Sequence, residues 1–195
     1  ILVLIAMIWY FMNRHSPGST TPTMADTVSV TNDTPMAMAA VPEQIKVKLP
    51  DGKELDAFRG GIEDQLVTFL NDPDSKAGKD VWFDFDNLNF KTGSSDISNE
   101  SIDQIQNIAA ILKAYPKVKI KIGGYTDRTG DSLQNRKLSQ DRAASVAAAI
   151  KGAGVKASQV TGAEGYGSAF AKAAADAPDA ERKKDRHISI SVREK

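Results

Sequence analysis

Asp127, Asn135 and Arg142 stand close together where an apolar strand gives way to a helix, and they are the residues best suited to chemistry. A carboxylate and a guanidinium on separate elements, with an amide beside them, suit a ligand that carries both an ammonium and a carboxylate. That describes a zwitterion such as an amino acid. The same two charges also suit an internal salt bridge tying loop to helix, and the residues alone leave both readings open. Asp84, Asp86 and Asp127 raise a third idea, paired carboxylates or a metal site. Against it, neither His15 nor His187 belongs to a ligand-like cluster and no nucleophile sits beside a base, so the expectation is a binding protein without catalysis, metal or cofactor.

The flanking pattern says how these groups are held. Val118, Ile120 and Ile122 alternate with Lys119, Lys121 and Gly123, which predicts a strand with one apolar face that breaks at Gly123 and Gly124. Tyr125, Thr126 and Asp127 then fall at the mouth of a sheet, where such folds place binding crevices. In the next helix Ala143, Val146, Ala147 and Ile150 form one apolar stripe, with Asn135, Leu138 and Arg142 on its edge. Asn135 and Arg142 lie about two helical turns apart, so both reach along one line toward Asp127.

The order Thr126-Asp127, Gly130, Asn135, Leu138-Ser139 and Arg142-Ala143 resembles the peptidoglycan-binding domain at the C-terminus of outer-membrane protein A, a family that includes peptidoglycan-associated lipoprotein and MotB. The resemblance runs from about Lys79 to Lys195. It implies that Asp127 and Arg142 hold the ammonium and carboxylate of diaminopimelate in the peptidoglycan stem peptide, with Thr126 beside them and Asn135 in support. Phe83-Asp84-Phe85-Asp86 is similar to the family's first strand, which implies that Asp86 and Asn87 lie on the pocket rim. Gly165-Tyr166-Gly167 is similar to a further family segment. Before the last strand the family writes Asn-Arg-Arg where this chain has Asp185-Arg186-His187, so the implied anion contact passes to Arg186 alone.

Basic and acidic side chains balance at 25 each among 195 residues, so no global charge draws the chain to nucleic acid or to an anionic membrane. No cysteine is present to carry a disulfide, a thiolate metal site or a lipid.

Residues 1–12, ILVLIAMIWYFM, are an apolar run ending in Trp9, Tyr10 and Phe11, shorter than the about 20 residues of a spanning helix. With no initial methionine, they read as the second half of a transmembrane anchor with an interfacial aromatic belt. A signal-peptide core is the competing reading, but the small-residue site Ala37-Met38-Ala39 lies far from the run. Residues 13–42 read as a flexible tether rich in Pro, Ser and Thr, reaching on the order of 90 Å when extended. In residues 43–76, Ile45, Val47 and Leu49 precede a turn at Asp51-Gly52, and Ile62, Leu66, Phe69 and Leu70 share a helix face. This hairpin-helix accessory unit is too small to stand alone.

In residues 79–195 the pattern predicts strands at Val81, Val118, Val160 and Ile188, and helices after Ser98 and around Leu138. Ala169–Ala177 has helical propensity, and Ala180–Asp185 reads as a solvated approach to the last strand. The fold class is an α/β sandwich, βαβαβ plus a strand, with a mixed four-stranded sheet and helices on one face. The implied function is non-covalent anchoring of a membrane-tethered, periplasmic protein to peptidoglycan. The alternative is a protein-interaction or stator-like scaffold with a vestigial pocket. A homodimer is compatible with either.

Overall fold

The computed structural model describes residues 42–195; the anchor and tether expected in residues 1–41 lie outside them. The hairpin strands β1 (Gln44–Lys48) and β2 (Glu54–Phe58) pair antiparallel, and helix α1 (Ile62–Asn71) follows. The remaining elements are β3 (Trp82–Asp84), α2 (Ile102–Ala114), β4 (Lys119–Tyr125), α3 (Ser132–Gly152), β5 (Val160–Gly167), α4 (Asp179–Arg182) and β6 (Ile188–Glu194). Their strands form one mixed sheet in the order β3-β6-β4-β5, parallel only between β4 and β5. This is the α/β class, and the order of strands and helices along the chain, that the apolar periodicity predicts; the order of strands within the sheet is a finding of the structure.

The alternation of β4 and β6 decides which face is covered. Ile120, Ile122, Ile188, Ile190 and Val192 are buried in one cluster with Ile105, Ile108 and Leu112 of α2 and with Ala143, Val146 and Ile150 of α3. Val47, Leu55, Ile62 and Leu66 of the hairpin and α1 enter the same cluster, so apolar surface too small to fold alone finds its partner there.

Several local expectations change. The strand does not break at Gly123 and Gly124; β4 runs through both, as β5 runs through Gly162 and Gly165. These glycines answer to packing. A Cβ on Gly124 would lie 2.3 Å from the Ser139 carbonyl oxygen, and one on Gly165 would lie 2.1 Å from the Gln140 backbone nitrogen. Gly124 and Gly165 are paired across β4 and β5 and form a flat seat for α3. Because the obstacle is backbone, Gly165→Ala is expected to destabilise by about 2 kcal/mol, seen as a lowered denaturant midpoint. An unchanged midpoint would show that the helix is free to lift.

Ser98 precedes a 3-10 turn, Asn99–Ser101, and it is Ser101 that stands at the N-cap of α2. Ala169–Ala177 is not helical, because the Asp185 carboxylate takes the backbone N–H groups of Lys172 and Ala173, each at 2.9 Å. The segment before β6 is largely solvated, as expected, with Ala180, Glu181, Lys183 and Lys184 exposed, but it forms α4 and a 3-10 turn and ends on a buried Asp185.

Glu63 was not expected inside, yet it is only 3% exposed where α1 meets the main domain. Asn107 donates to it at 3.2 Å and Gln104 at 3.4 Å. Burial pushes its carboxyl above the ordinary value despite these bonds. A raised folded-state pKa favours folding below the unfolded value of about 4.3, and that contribution is lost as pH rises through the folded pKa. Glu63→Gln is therefore expected to raise stability by about 1 kcal/mol at pH 7. The gain should vanish below about pH 4. Melting curves at both pH values check this, and a variant less stable than the parent at pH 7 would contradict it.

Candidate functional site

The site is built where the ends of β4 and β6 meet the start of α3. The Thr126 backbone N–H donates to the Gly167 carbonyl at 3.0 Å, which holds the turn beyond β4 against the end of β5. Asp127 follows, with its side chain only 5% exposed. Its Oδ1 accepts from the Thr129 backbone N–H at 2.9 Å and from the Thr129 hydroxyl. Its Oδ2 accepts from Arg186 Nη1 at 2.6 Å and from Arg182 Nη1 at 3.4 Å. Burial would raise this carboxyl, but the Thr129 and Arg186 bonds outweigh it and hold the pKa below the ordinary value. Asp127 is therefore charged at neutral pH and its acceptor positions are filled.

Helix α3 delivers two more expected groups. Asp131 caps it by accepting from the Gln134 N–H at 2.9 Å, which fixes where the first turn points. Asn135 Nδ2 donates to the Thr129 carbonyl at 2.8 Å and reaches the Asp127 carbonyl at 3.4 Å, so Asn135 shapes the loop that holds the carboxylate. Arg142 is half-buried, stacked over the Phe90 ring at 4.9 Å, and its Nε donates to the Ser94 carbonyl at 3.0 Å. It has no ion pair among the described residues, so the Asp127–Arg142 salt bridge is not the arrangement present. Burial, and then repulsion from Arg186, lower the Arg142 pKa.

The other expected residues divide. Arg186 joins the site, bridging Asp127 and, at 2.9 Å, Asp179. Thr126 is buried there with no partner for its hydroxyl. Asp86 and Asn87 are not brought to Asp127 by any contact among the described residues. Asp86 Oδ1 accepts from the Ile62 N–H at 3.0 Å at the start of α1 and from Gln104 Nε2 at 2.9 Å, while the Asn87 N–H donates to Gln104 at 2.9 Å. The accessory helix takes the carboxylate that the resemblance assigns to the rim. Asp84 accepts from the Ser189 hydroxyl at 2.5 Å. The three strand and loop aspartates thus serve three different partners, and among the described residues no cluster is arranged to hold a metal.

Sequence reasoning missed Arg182 and Asp179. Both lie in the charged run before β6, and their signal was the spacing: Asp179, Arg182 and Arg186 recur at three and four residues, so α4 and the 3-10 turn after it align them. The assembled centre is one buried carboxylate ringed by Arg182 and Arg186, with Arg142 lacking an anion nearby.

Residues 89–186 match the OmpA family, and the chain belongs to that family. Its fold is similar to the peptidoglycan-associated lipoprotein from Burkholderia pseudomallei, with a TM-score of 0.50 and 28% identity over 64% of this chain and 98% of that one. It is similar also to the C-terminal domain of Helicobacter pylori MotB, with a TM-score of 0.50 and 26% identity over 57% of this chain and 86% of that one. Among curated proteins it is 39% identical over 74 residues to the probable lipoprotein YiaD of Escherichia coli, covering 38% of this chain and 34% of that protein. It is 35% identical over 97 residues to the outer-membrane lipoprotein YfiB of Pseudomonas aeruginosa, covering 49% of this chain and 56% of that protein. The chain therefore spans only about a third to a half of these two relatives. Among the described residues no helix is long and apolar enough to cross a membrane.

Proposed function

We propose that this domain binds peptidoglycan non-covalently by gripping the zwitterionic end of diaminopimelate in a stem peptide, and so anchors its protein to the cell wall. The observation that carries the reading is Arg142, a half-buried guanidinium with no carboxylate partner beside the Asp127–Arg186 pair. In this reading the ligand carboxylate docks on Arg142. The ligand ammonium goes to Asp127 Oδ2, replacing Arg182, whose 3.4 Å contact is the weakest at that carboxylate. Asn135 and Thr129 keep the loop in shape. Thr126, its hydroxyl buried and without a partner, backs the loop beside Asp127. Arg186 holds Asp127 ionised, and Asp86 and Asn87 serve the accessory unit rather than the ligand.

Membership of the OmpA family and likeness to a peptidoglycan-associated lipoprotein support this reading. Residues 1–12 would hold the chain in a membrane, residues 13–42 would give it reach, and the domain would work in the periplasm. No catalytic step is needed. Filled acceptor positions at Asp127 favour the second reading, a scaffold whose pocket is vestigial.

Titration calorimetry with two stem tripeptides separates them. The peptide ending in diaminopimelate is expected to bind at least tenfold more tightly than one ending in lysine, which lacks the second carboxylate. Equal affinities would remove the role given to Arg142, and absence of binding by either peptide would favour the scaffold.

A further inference from the structure

The face of the sheet turned away from α2 and α3 is not bare. Trp82 and Asp84 of β3, Lys121 and Tyr125 of β4, Tyr166 of β5 and Arg193 of β6 line an open groove of about 1350 Å³. Gly123 makes room in its floor, since a Cβ there would fall 2.7 Å from the Trp82 ring and 3.0 Å from the Tyr166 ring. Tyr125 stacks on Tyr166 at 5.1 Å and on His187 at 4.5 Å, giving a row of three near-parallel rings. Trp82 meets Tyr125 and Tyr166 edge-on from β3. Phe170 meets the same two rings edge-on, at 6.0 and 5.5 Å, yet remains 64% exposed. The loop carrying Phe170 is fixed by the two backbone bonds to Asp185.

We infer that this groove is a second binding site, one that takes the saccharide backbone of the wall polymer whose stem peptide enters at Asp127. The inference rests on the peptidoglycan reading above, and two features of the groove choose the ligand class. Its lining charges nearly cancel, five Lys or Arg against four Asp or Glu, so it offers little to a polyanion such as a nucleic acid. Its contiguous cluster of rings is flanked by side-chain donors and acceptors, among them Lys121, Asp84, Lys172 and Glu181. Sugars match that mixture, because their polarised C–H faces lie against aromatic rings while their hydroxyl and acetamido groups bond to charged side chains. Arg193, also in the lining, places its guanidinium over the Trp82 ring at 5.5 Å.

The position fits as well. Tyr125 is followed directly by Thr126 and Asp127, and His187 directly follows Arg186. Alternation along the two strand ends puts the peptide-gripping groups at the rim and the aromatic groups on the open face beside them. The groove therefore adjoins the rim from which a glycan would leave.

Calorimetry on the full chain with three ligands tests the groove: the diaminopimelate tripeptide, the same peptide carrying its N-acetylglucosaminyl-N-acetylmuramoyl disaccharide, and tetra-N-acetylchitotetraose. The disaccharide-peptide is expected to bind about tenfold more tightly than the bare peptide, and the tetrasaccharide to bind weakly. Phe170→Ala, at an exposed position, should erase the tenfold margin and the tetrasaccharide signal while leaving bare-peptide affinity and melting temperature unchanged. Equal affinity of the two peptides for the parent chain would overturn the proposal, as would a margin that survives Phe170→Ala. Tetrasaccharide binding lost in Phe170→Ala, with no binding of bare peptide, would overturn the stem-peptide reading and leave the groove standing. No binding of any ligand would overturn both.

Discussion

Asp127→Asn is expected to lower stability by about 2 kcal/mol at pH 7 and to reduce binding of the diaminopimelate tripeptide by at least about 100-fold. Removing one partner of a fully buried ion pair costs about 3 to 5 kcal/mol. Here the carboxylate is 5% exposed, but Arg186 and Arg182 are 31% and 21% exposed and regain some hydration when freed, so the cost is discounted. The substitution also weakens the hydrogen bonds to Oδ1 that hold the loop. The pH dependence follows from the lowered pKa: the stabilisation is present above the unfolded value of about 3.9 and is lost as pH falls through the folded value. The difference in melting temperature between parent and variant should therefore shrink from pH 7 toward pH 2. A difference that stays constant over that range would show that charge is not what Asp127 contributes.

Arg142→Met should give the opposite pairing of effects, binding lost and stability kept. Methionine preserves much of the side-chain stem over Phe90 and removes a half-buried guanidinium that Arg186 repels and no carboxylate neutralises. The hydrogen bond to the Ser94 carbonyl, worth about 1 kcal/mol, and the cation–π contact with Phe90 are forfeited, and relief of desolvation offsets them. Melting temperature is expected to be unchanged or slightly higher. Affinity for the diaminopimelate peptide should fall about 100-fold, the usual scale for losing one side of a desolvated charge pair. A variant that unfolds would return Arg142 to a structural role, and one that binds like the parent would remove it from the site.

Taken together, the two variants distinguish the two arginine environments. Arg186 is bound to carboxylates, whereas Arg142 has no carboxylate partner among the described residues and, in the proposed reading, takes the ligand carboxylate. Sequence spacing alone could not divide these roles. Asp127, Asn135 and Arg142 stood out by residue type and Arg186 by the resemblance, but a one-dimensional pattern does not say which guanidinium faces which carboxylate. Arg182 escaped notice because a run of charges ordinarily faces water, and here a turn of helix points it inward. Asp86 was assigned to the rim because nothing in its own strand revealed that a distant N-terminus, at Ile62, would claim it.

Periodicity by itself determined the class of the fold, the order of strands and helices, and the face of each that is buried, because apolar side chains must leave water whatever their neighbours are. It also placed Asp127 at a strand end and Arg142 on the inner edge of a helix. What tertiary structure decided were the pairings: α3 seated on Gly124 and Gly165, the alanine-rich segment held out of helix by Asp185, and the aromatic row on the open sheet face. Burial is written locally, since it depends on each side chain's own affinity for water. Partnership between charges, or between a backbone and the glycine beneath it, depends on groups far apart in the chain and exists only once the chain has folded.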